Sequence, residues 1–191
     1  MGGEKNVTMK ILDVIKKRYS CRRYQSRPVS PEHIGLMKEA VRWAPSACNR
    51  QPYKIHFIAD SAVIRRIAGA VPVGPASANS WMLTAPLIAA AVVSRELVWH
   101  QLPRMVGADY HRTDAVIAMD HLSLAATEAG LGTCWVGWFN RRKVGRILGL
   151  VRGEEVVILM TVGYPDRDPP KERKRKDPGD LFVEEPIKIE N

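Results

Sequence analysis

The longest uninterrupted apolar stretch in the chain runs from Ala85 to Val93, within an almost entirely apolar segment that extends from Leu83 to Val93. A stretch of this kind is typical of a strand that is covered on both faces, so it requires other elements above and below the sheet. The many alanines leave a buried helix as the alternative. Crossing a bilayer takes roughly 20 apolar residues, and the sequence therefore predicts no transmembrane span.

Helix and strand signals alternate along the rest of the 191 residues. Capping residues, glycines and prolines mark five helices, and apolar runs mark three more strands. The predicted helices run from Thr8 to Arg18, from Ser30 to Pro45, from Asp60 or Ser61 to Gly69, from Thr113 or Asp114 to Gly130, and from Asn140 to Gly149. The predicted strands run from Tyr53 to Phe57, from Thr133 to Trp138 and from Val156 to Val162. This alternation predicts a fold that mixes helices with a sheet.

Residues 1–191 are expected to form a single domain, because no repeat or interior linker divides them. Residues 1–7 are predicted to be an N-terminal extension. From 165 onward the chain is polar and proline-rich, so residues 165–191 are predicted to form an arm that needs a partner surface to become ordered. Residues 94–112 give no clear signal, and the alternatives there are a lid over a pocket and a surface pair of helices.

The cysteines and histidines form no metal-binding or disulfide pattern. Cys21, Cys48 and Cys134 are odd in number, widely spaced and without a C-x-x-C motif, and the five histidines never adopt H-x-x-x-H spacing. The N-terminal residues Met1 to Asn6 lack the apolar segment of a signal peptide and the Ser or Thr of a myristoylation site. We therefore expect a cytoplasmic, unanchored protein without a metal ion.

Positive charge is concentrated in three short segments. Lys16–Arg23 carries five cations and no acid, Arg141–Arg146 carries four cations, and Lys171–Lys176 carries five cations against one acid, in a chain whose net charge is +9. Such segments are consistent with nucleic-acid binding, with a small phosphorylated ligand, or with solvated helix ends. The neighbouring residues have to distinguish these alternatives.

Two loop segments offer binding chemistry. Arg18-Tyr19-Ser20-Cys21-Arg22 places two arginines and a hydroxyl where a helix ends, and guanidinium groups bind phosphate oxygens through paired hydrogen bonds. The second segment, Ala44-Pro45-Ser46-Ala47-Cys48-Asn49-Arg50-Gln51-Pro52-Tyr53, joins a helix to a strand. Its two prolines restrict the backbone, while Ser46, Asn49 and Gln51 supply the donors and acceptors that can bind the edge of an uncharged heterocycle.

These segments, taken in order, resemble a known family. From about Ile11 to Arg175 the chain contains, in this order, R-x-S-x-R, Pro28-Val29, A-P-S-x-x-N-x-Q-P, A-x-E-x-G-L-G-T-C-W-x-G, G-Y-P and a terminal basic segment. This order is similar to that of the FMN-dependent nitroreductases. The resemblance implies an α+β fold with a mixed, mostly antiparallel central sheet flanked by helices in three α-β-α layers. It also implies an intertwined homodimer with FMN at the subunit interface.

The resemblance assigns roles by motif position. Arg18 and Ser20, with Arg173 and Arg175, are expected at the FMN phosphate, and Arg22 at the ribityl chain or the pyrimidine edge. Val136, Gly137 and Trp138 match the strand end near flavin N5, and the loop at 45–51 is expected to come from the partner subunit. The implied cofactor-binding residues are Arg18, Tyr19, Ser20, Arg22, Pro45, Ser46, Ala47, Asn49, Gln51, Val136, Gly137, Trp138, Arg173 and Arg175.

The sequence therefore predicts an FMN-dependent oxidoreductase. It would transfer hydride from NADH or NADPH through flavin N5 to nitroaromatics, quinones or similar acceptors by a ping-pong mechanism, with no catalytic side chain and no metal. Three alternatives stay open: a flavin site used for reductive dehalogenation or flavin breakdown, a non-catalytic flavin carrier or sensor, and a basic nucleic-acid-binding module. The last lacks any known nucleic-acid motif, so we expect neither a nucleic-acid nor a membrane partner.

Two features have no settled role at this stage. The Arg141–Arg146 cluster is either a solvated helix face or a platform for the phosphates of a nicotinamide cofactor. Trp138 stands where many relatives have a second glycine, and a ring of this size beside N5 would narrow the substrate pocket or cover the flavin.

Overall fold

A computed structural model of the protein describes residues 10–71, 80–94, 109–170 and 172–183. Thr8, the predicted extension at 1–7 and most of the unassigned segment at 94–112 lie outside these ranges. The helices are α1 Ile11–Lys17, α2 Pro31–Arg42, α3 Ser61–Ala68, α4 Tyr110–Glu128 and α5 Arg141–Ile147, and the strands are β1 Tyr53–Ile58, β2 Leu87–Ser94, β3 Gly132–Val136 and β4 Glu154–Gly163. Short 3-10 turns occur at Ala47–Asn49, Ser80–Thr84 and Pro178–Asp180.

The four strands form one sheet in the order β1-β2-β4-β3, and every neighbouring pair is antiparallel. Among the described residues, parallel pairing is limited to a single bridge between Ser20 and Thr133. The sheet is therefore mostly antiparallel, as predicted, and the α+β class is confirmed.

Strand β2 lies in the sheet interior and is buried on both faces, which excludes the buried-helix alternative. Leu87, Ala89, Ala91 and Val93 pack with α2 and α4, in a core that includes Met119. The intervening residues, Ile88, Ala90 and Val92, pack with Ile64 and Ile67 of α3 and Val144 of α5. Since side chains alternate between the two faces of a strand, this one segment separates two helical layers and produces the α-β-α arrangement.

Several predicted boundaries are wrong by a few residues. Helix α4 begins at Tyr110 rather than at Thr113 or Asp114, because Thr113 lies within the first turn and donates its hydroxyl to the Asp109 carbonyl at 3.1 Å. Strand β2 begins at Leu87, after Pro86, which lacks the N–H that a ladder requires. Strand β3 ends at Val136, two residues before Trp138.

Across the described ranges, none of the helices combines the length and the apolar character that a membrane crossing requires.

Candidate functional site

The segment that follows α1 is fixed to the sheet. Cys21 N–H donates to the Thr133 carbonyl at 2.8 Å, next to the bridge between Ser20 and Thr133. The buried Tyr24 hydroxyl lies 2.7 Å from both the Cys21 carbonyl and Thr161 Oγ1. Burial raises the pKa of Tyr24, so this hydroxyl keeps its proton. The segment is therefore attached to β3 and β4 by groups that do not ionise near neutral pH.

Two glycines allow this close approach. A Cβ atom at Gly132 would lie 2.6 Å from Cys21 Cβ, and one at Gly163 would lie 2.5 Å from Pro86 Cδ and 2.9 Å from the Tyr24 ring. Distances this short are incompatible with any side chain unless the neighbouring chain moves. Gly132 belongs to the G-L-G-T motif, whose role in packing this segment was not evident from the sequence.

The segment contributes to a cluster of cations, which we call the cation cluster: Arg18, Arg173 and Arg175. Arg173 donates to the backbone carbonyls of Arg18 and Lys16, although 155 positions separate Arg173 from Arg18. Partial burial lowers the pKa of Arg173, and the charges of Arg175 and Arg18 lower it further. The three guanidinium groups are therefore close enough to repel one another.

The cation cluster lacks a counter-charge in the described part of the chain. None of its arginines forms an ion pair with a described carboxylate. Arg18 Nη1 is buried and has no hydrogen-bond acceptor there. An unpaired buried donor on a cation is energetically costly, and a phosphate dianion is the type of group that satisfies several guanidinium donors together.

Arg22 lies beside the same sheet edge. Its guanidinium carbon is 5.9 Å from the Trp81 ring centroid. Burial raises the pKa of the Cys134 thiol, while the nearby Arg22 charge opposes that rise. Cys134 thus stays a protonated, buried thiol and has no nucleophilic role.

The end of β3 opens toward solvent. Val136 is buried, but Gly137 and Trp138 are exposed, and Trp138 keeps 75% of its surface accessible. The backbone of these two residues can therefore face a bound ligand, and the indole is free to contact either that ligand or a second molecule above it.

The loop at 45–52 is fixed mainly by its own hydrogen bonds. Ser46 Oγ accepts from Gln51 N–H at 3.0 Å, and Gln51 Nε2 donates to the backbone and side-chain oxygens of Asn49, both at 3.1 Å. Ala47 N–H also donates to the carboxylate of Asp114, in the distant helix α4, at 3.1 and 3.2 Å. Asp114 was predicted only as a helix cap, and its role as an anchor for this loop was missed.

The backbone of this loop adopts an uncommon conformation. Cys48, Asn49 and Gln51 have φ values of 53°, 53° and 46°, in the left-handed region that non-glycine residues adopt at some energetic cost. Such conformations persist where the surroundings enforce them and occur often at binding sites. The hydrogen bonds within the loop and the contact with Asp114 hold this conformation in place.

The helix end that leads into the loop is also fixed. Glu39 accepts a hydrogen bond from Arg42 Nη2 at 2.6 Å and another from Trp43 Nε1 at 2.6 Å. These two contacts lower the pKa of Glu39 to about 2, so it is ionised at neutral pH. The exposed Trp43 indole is thereby held beside Ala44, at the entrance to the loop.

The two halves of the predicted site lie at opposite ends of α4. The loop at 45–52 contacts Asp114 near the first turn, whereas the segment with Ser20 lies beside Thr133, a few residues after the helix ends at Glu128. Fourteen residues of helix separate Asp114 from Glu128, which corresponds to about 20 Å. Within one chain, Arg18 and Arg175 therefore lie near Arg173, whereas the loop with Ser46 and Asn49 lies at the other end of α4.

Tyr19 has a different environment from its neighbours. It lines a cavity of about 550 Å³ together with Gln25, Thr127 and Asp168, and no other predicted cofactor-binding residue lines that cavity. Its hydroxyl lies 3.5 Å from the Arg167 carbonyl. In the described ranges, His, Cys, Asp and Glu form no group of three that could hold a metal ion.

Comparison with known sequences adds independent information. The sequence profile of the nitroreductase family matches residues 15–164. A protein of Archaeoglobus fulgidus, provisionally named NADH dehydrogenase/NAD(P)H nitroreductase, is 28% identical over 158 residues, covering 81% of this chain and 84% of that protein. An iodotyrosine deiodinase of Thermotoga neapolitana is 25% identical over 173 residues, covering 85% and 93% respectively.

Solved structures of nitroreductase family proteins have a similar fold. A nitroreductase family protein from Clostridium difficile 630 matches with a TM-score of 0.81 and 29% identity, covering 94% of this chain and 100% of that one. An FMN-dependent nitroreductase from Clostridium difficile R20291 matches with a TM-score of 0.71 and 22% identity, covering 89% and 94%.

Proposed function

Because the chain belongs to the nitroreductase family, we propose that it is an FMN-dependent oxidoreductase that takes electrons from NADH or NADPH and reduces electron-poor acceptors such as nitroaromatics or quinones. The observation that carries this proposal is the cation cluster, in which three arginines meet without a described counter-charge and Arg18 Nη1 is buried without an acceptor. The phosphate of FMN has the charge and the oxygen atoms to satisfy these donors.

The residues of one chain fit the phosphate end of FMN. Arg18, Arg173 and Arg175 would bind the phosphate, with the Ser20 hydroxyl as a further donor. Arg22, between Trp81 and the end of β3, would lie along the ribityl chain or the pyrimidine edge. The open backbone at Gly137 and Trp138 would face the reactive part of the ring.

When bound, FMN would supply the redox chemistry between a reduced nicotinamide and an acceptor. The protein supplies position and charge. Arg22 is a permanent cation, and it would stabilise negative charge that develops on the pyrimidine edge of the ring on reduction. No side-chain base is needed. The reductant and the acceptor would occupy the same pocket in turn, which predicts ping-pong kinetics.

A homodimer with two shared sites would complete the pocket. Ser46, Ala47 and Asn49 lie at the opposite end of α4 from the segment with Ser20, so a second copy of the chain would bring them to the same FMN. Pro45, which restricts the loop, and Gln51, which orders it, would then act from the partner subunit. The C-terminal arm supports this arrangement, because Leu181, Phe182 and Val183 expose apolar surface that a partner could cover.

The iodotyrosine deiodinase relative favours a second candidate, reductive dehalogenation at the same flavin site. Both candidates require FMN and a reductant, and they differ in the acceptor. The exposed Trp138, beside the open end of β3, would restrict acceptors in either case if its indole contacts the bound flavin.

The experiment that tests this function is the absorption spectrum of the purified protein, followed by anaerobic addition of NADH or NADPH. We expect a yellow protein that releases FMN on heating and whose flavin band bleaches on addition of the reductant. A nitroaromatic, a quinone or a halogenated phenol added afterwards should restore the band if it is an acceptor. Purified protein that neither carries nor binds FMN would contradict the proposal. If the protein binds FMN but neither NADH nor NADPH reduces it, the protein is a flavin carrier rather than an oxidoreductase.

A further inference from the structure

A second group of cations lies in a cleft between α3 and α5, and we call it the α3–α5 cleft. It has a volume of about 420 Å³ and is lined by Arg66, Gly69, Lys143, Arg146 and Ile147. No carboxylate belongs to this lining. The Arg141–Arg146 segment, which had no settled role in the sequence, therefore contributes two of the three cations.

The cleft has a rigid frame. Lys143 Nζ donates to the Gly69 carbonyl at 2.7 Å, which ties α5 to the end of α3. Asn140 N–H donates to the Ala70 carbonyl at 2.8 Å, and the Asn140 side chain accepts from Lys143 N–H at 2.9 Å. The two helices that carry the cations are thus held in a fixed relation. Arg66 and Arg146 form no ion pair with any residue that the structure describes.

A neighbouring cavity beside α5 differs in its charge balance. It has a volume of about 660 Å³, and its charged lining residues are Arg112, Arg141, Arg142 and Arg146 together with the acids Glu154 and Glu155. Arg112 Nη2 pairs with Glu155 at 2.7 Å. Arg146 lines both cavities, but acids lie only in this one, and no carboxylate lines the α3–α5 cleft.

The cleft is close to the predicted reaction site along the chain. Residues 137–140 connect the open end of β3 to the start of α5. Trp138 and Lys143 are five positions apart, so their Cα atoms are separated by at most about 18 Å. A dinucleotide whose nicotinamide lies beside Trp138 can extend over such a span and reach the cleft with its adenosine end.

We propose that the α3–α5 cleft binds the 2′-phosphate of NADPH and makes this nucleotide the preferred reductant, an inference that rests on the proposed function. A phosphomonoester carries about −1.5 to −2 charges at neutral pH. Arg66 and Arg146 supply planar forks that match its oxygens, and Lys143 adds a point charge. NADH lacks this group and leaves the three cations without a partner.

The test compares Arg66→Gln and Arg146→Gln with Arg65→Gln on the FMN-loaded protein. Arg65 is adjacent on α3 and does not line the cleft, so it controls for loss of one positive charge. The wild type should have a higher kcat/KM with NADPH than with NADH. Each cleft variant should lower the ratio of these two values by about tenfold, mainly through the KM for NADPH, as expected for one lost charge-assisted hydrogen bond.

Three results would overturn the proposal: a wild type that does not prefer NADPH, cleft variants with an unchanged ratio, or an equal fall in Arg65→Gln. An unchanged ratio with a lower melting temperature would show that the cations only stabilise the helix ends.

A binding experiment separates this inference from the proposed function. Adenosine 2′,5′-bisphosphate and AMP are titrated by calorimetry into the protein as purified, which requires no flavin chemistry. We expect the bisphosphate to bind more tightly than AMP. In Arg146→Gln, the ratio of the two Kd values should be about tenfold smaller than in the wild type. Equal binding of the two nucleotides, accompanied by heparin binding that Arg65→Gln and Arg146→Gln weaken alike, would indicate a nucleic-acid surface and overturn the proposal.

Discussion

The two ends of α4 carry the two halves of the predicted site, and they are built differently. At the C-terminal end, residues distant in sequence meet, and Arg173 donates to a carbonyl 155 positions away. At the N-terminal end, the loop at 45–52 is ordered chiefly by bonds among Ser46, Asn49 and Gln51, with Asp114 as its anchor.

The chemistry of the two ends differs as well. One end presents guanidinium groups and suits an anion, and the other presents amides and hydroxyls and suits a neutral heterocycle. FMN has both kinds of group. The difference teaches that one chain carries two chemically complementary groups of residues at separate places, and a second copy of the chain is our proposal for how they meet at one ligand.

The largest effect is expected at the cationic end. Arg18→Gln should weaken FMN binding about a hundredfold, because a fork that donates two charge-assisted hydrogen bonds, worth about 3 kcal/mol together, is replaced by one neutral donor. Titration of the apoprotein with FMN, followed by quenching of flavin fluorescence, measures this. The matched control is Arg23→Gln, which removes an exposed cation from the same segment and should change the Kd by less than about twofold. A similar loss in both variants would refute a specific role for Arg18.

A mixing experiment tests whether the two ends act in one site. Arg18→Gln and Asn49→Ala subunits are combined by co-expression and assayed at an FMN concentration that saturates only the wild type. Each variant alone should be nearly inactive, but the mixture should recover about a quarter of wild-type activity, because half of the dimers then contain one intact site of two. No recovery, in dimers shown to be mixed, would mean that both residues serve the same chain.

A stability effect of intermediate size is expected where the segment from Arg18 to Tyr24 meets the sheet. Gly132→Ala should lower the free energy of unfolding by about 2 kcal/mol, because the new methyl group would lie 2.6 Å from Cys21 Cβ and overpacking has costs of this order. Urea denaturation provides the measurement. Gly145→Ala is the control, since its Cβ would lie 3.6 Å from Leu150, an ordinary contact. Equal losses in the two variants would argue against close packing at Gly132.

The smallest effect is expected at the loop anchor. Asp114→Asn removes the charge from the acceptor of Ala47 N–H and should reduce stability by about 1 kcal/mol, with a weaker effect on FMN binding than Arg18→Gln. Asp120→Asn, an exposed change on the same helix, should be neutral in thermal unfolding. If Asp114→Asn reduces FMN affinity as much as Arg18→Gln does, the expected order of effects is wrong, and anchoring of the loop matters as much for binding as Arg18.

Local signals in the sequence predicted much of the fold. The Ser30, Asp60 and Asn140 helix caps are confirmed, because each side chain accepts the expected backbone N–H. The buried strand is confirmed as well. These features depend on residues a few positions apart, so a short window of sequence contains the information.

Features that depend on distant residues were not predictable in the same way. Arg173 was assigned by resemblance alone, and its bonds to the Arg18 and Lys16 carbonyls require the complete fold. Asp114 was interpreted as a helix cap because the sequence does not reveal that Ala47 will lie beside it. The left-handed backbone conformation of Cys48, Asn49 and Gln51 was not predicted, because no glycine marks these positions in the sequence. The roles of the predicted cofactor-binding residues stay predictions, which the FMN-binding measurements described above test.

The contact between Arg173 and the end of α1 has a consequence for synthesis on the ribosome. The central sheet, which ends at Gly163, can assemble before Arg173 leaves the exit tunnel, but the cation cluster cannot. Capture of the proposed cofactor would therefore be a late event in biogenesis. Nascent chains stalled between these two points should be folded yet colourless, and FMN added to cells would rescue variants with a weakened arm by mass action.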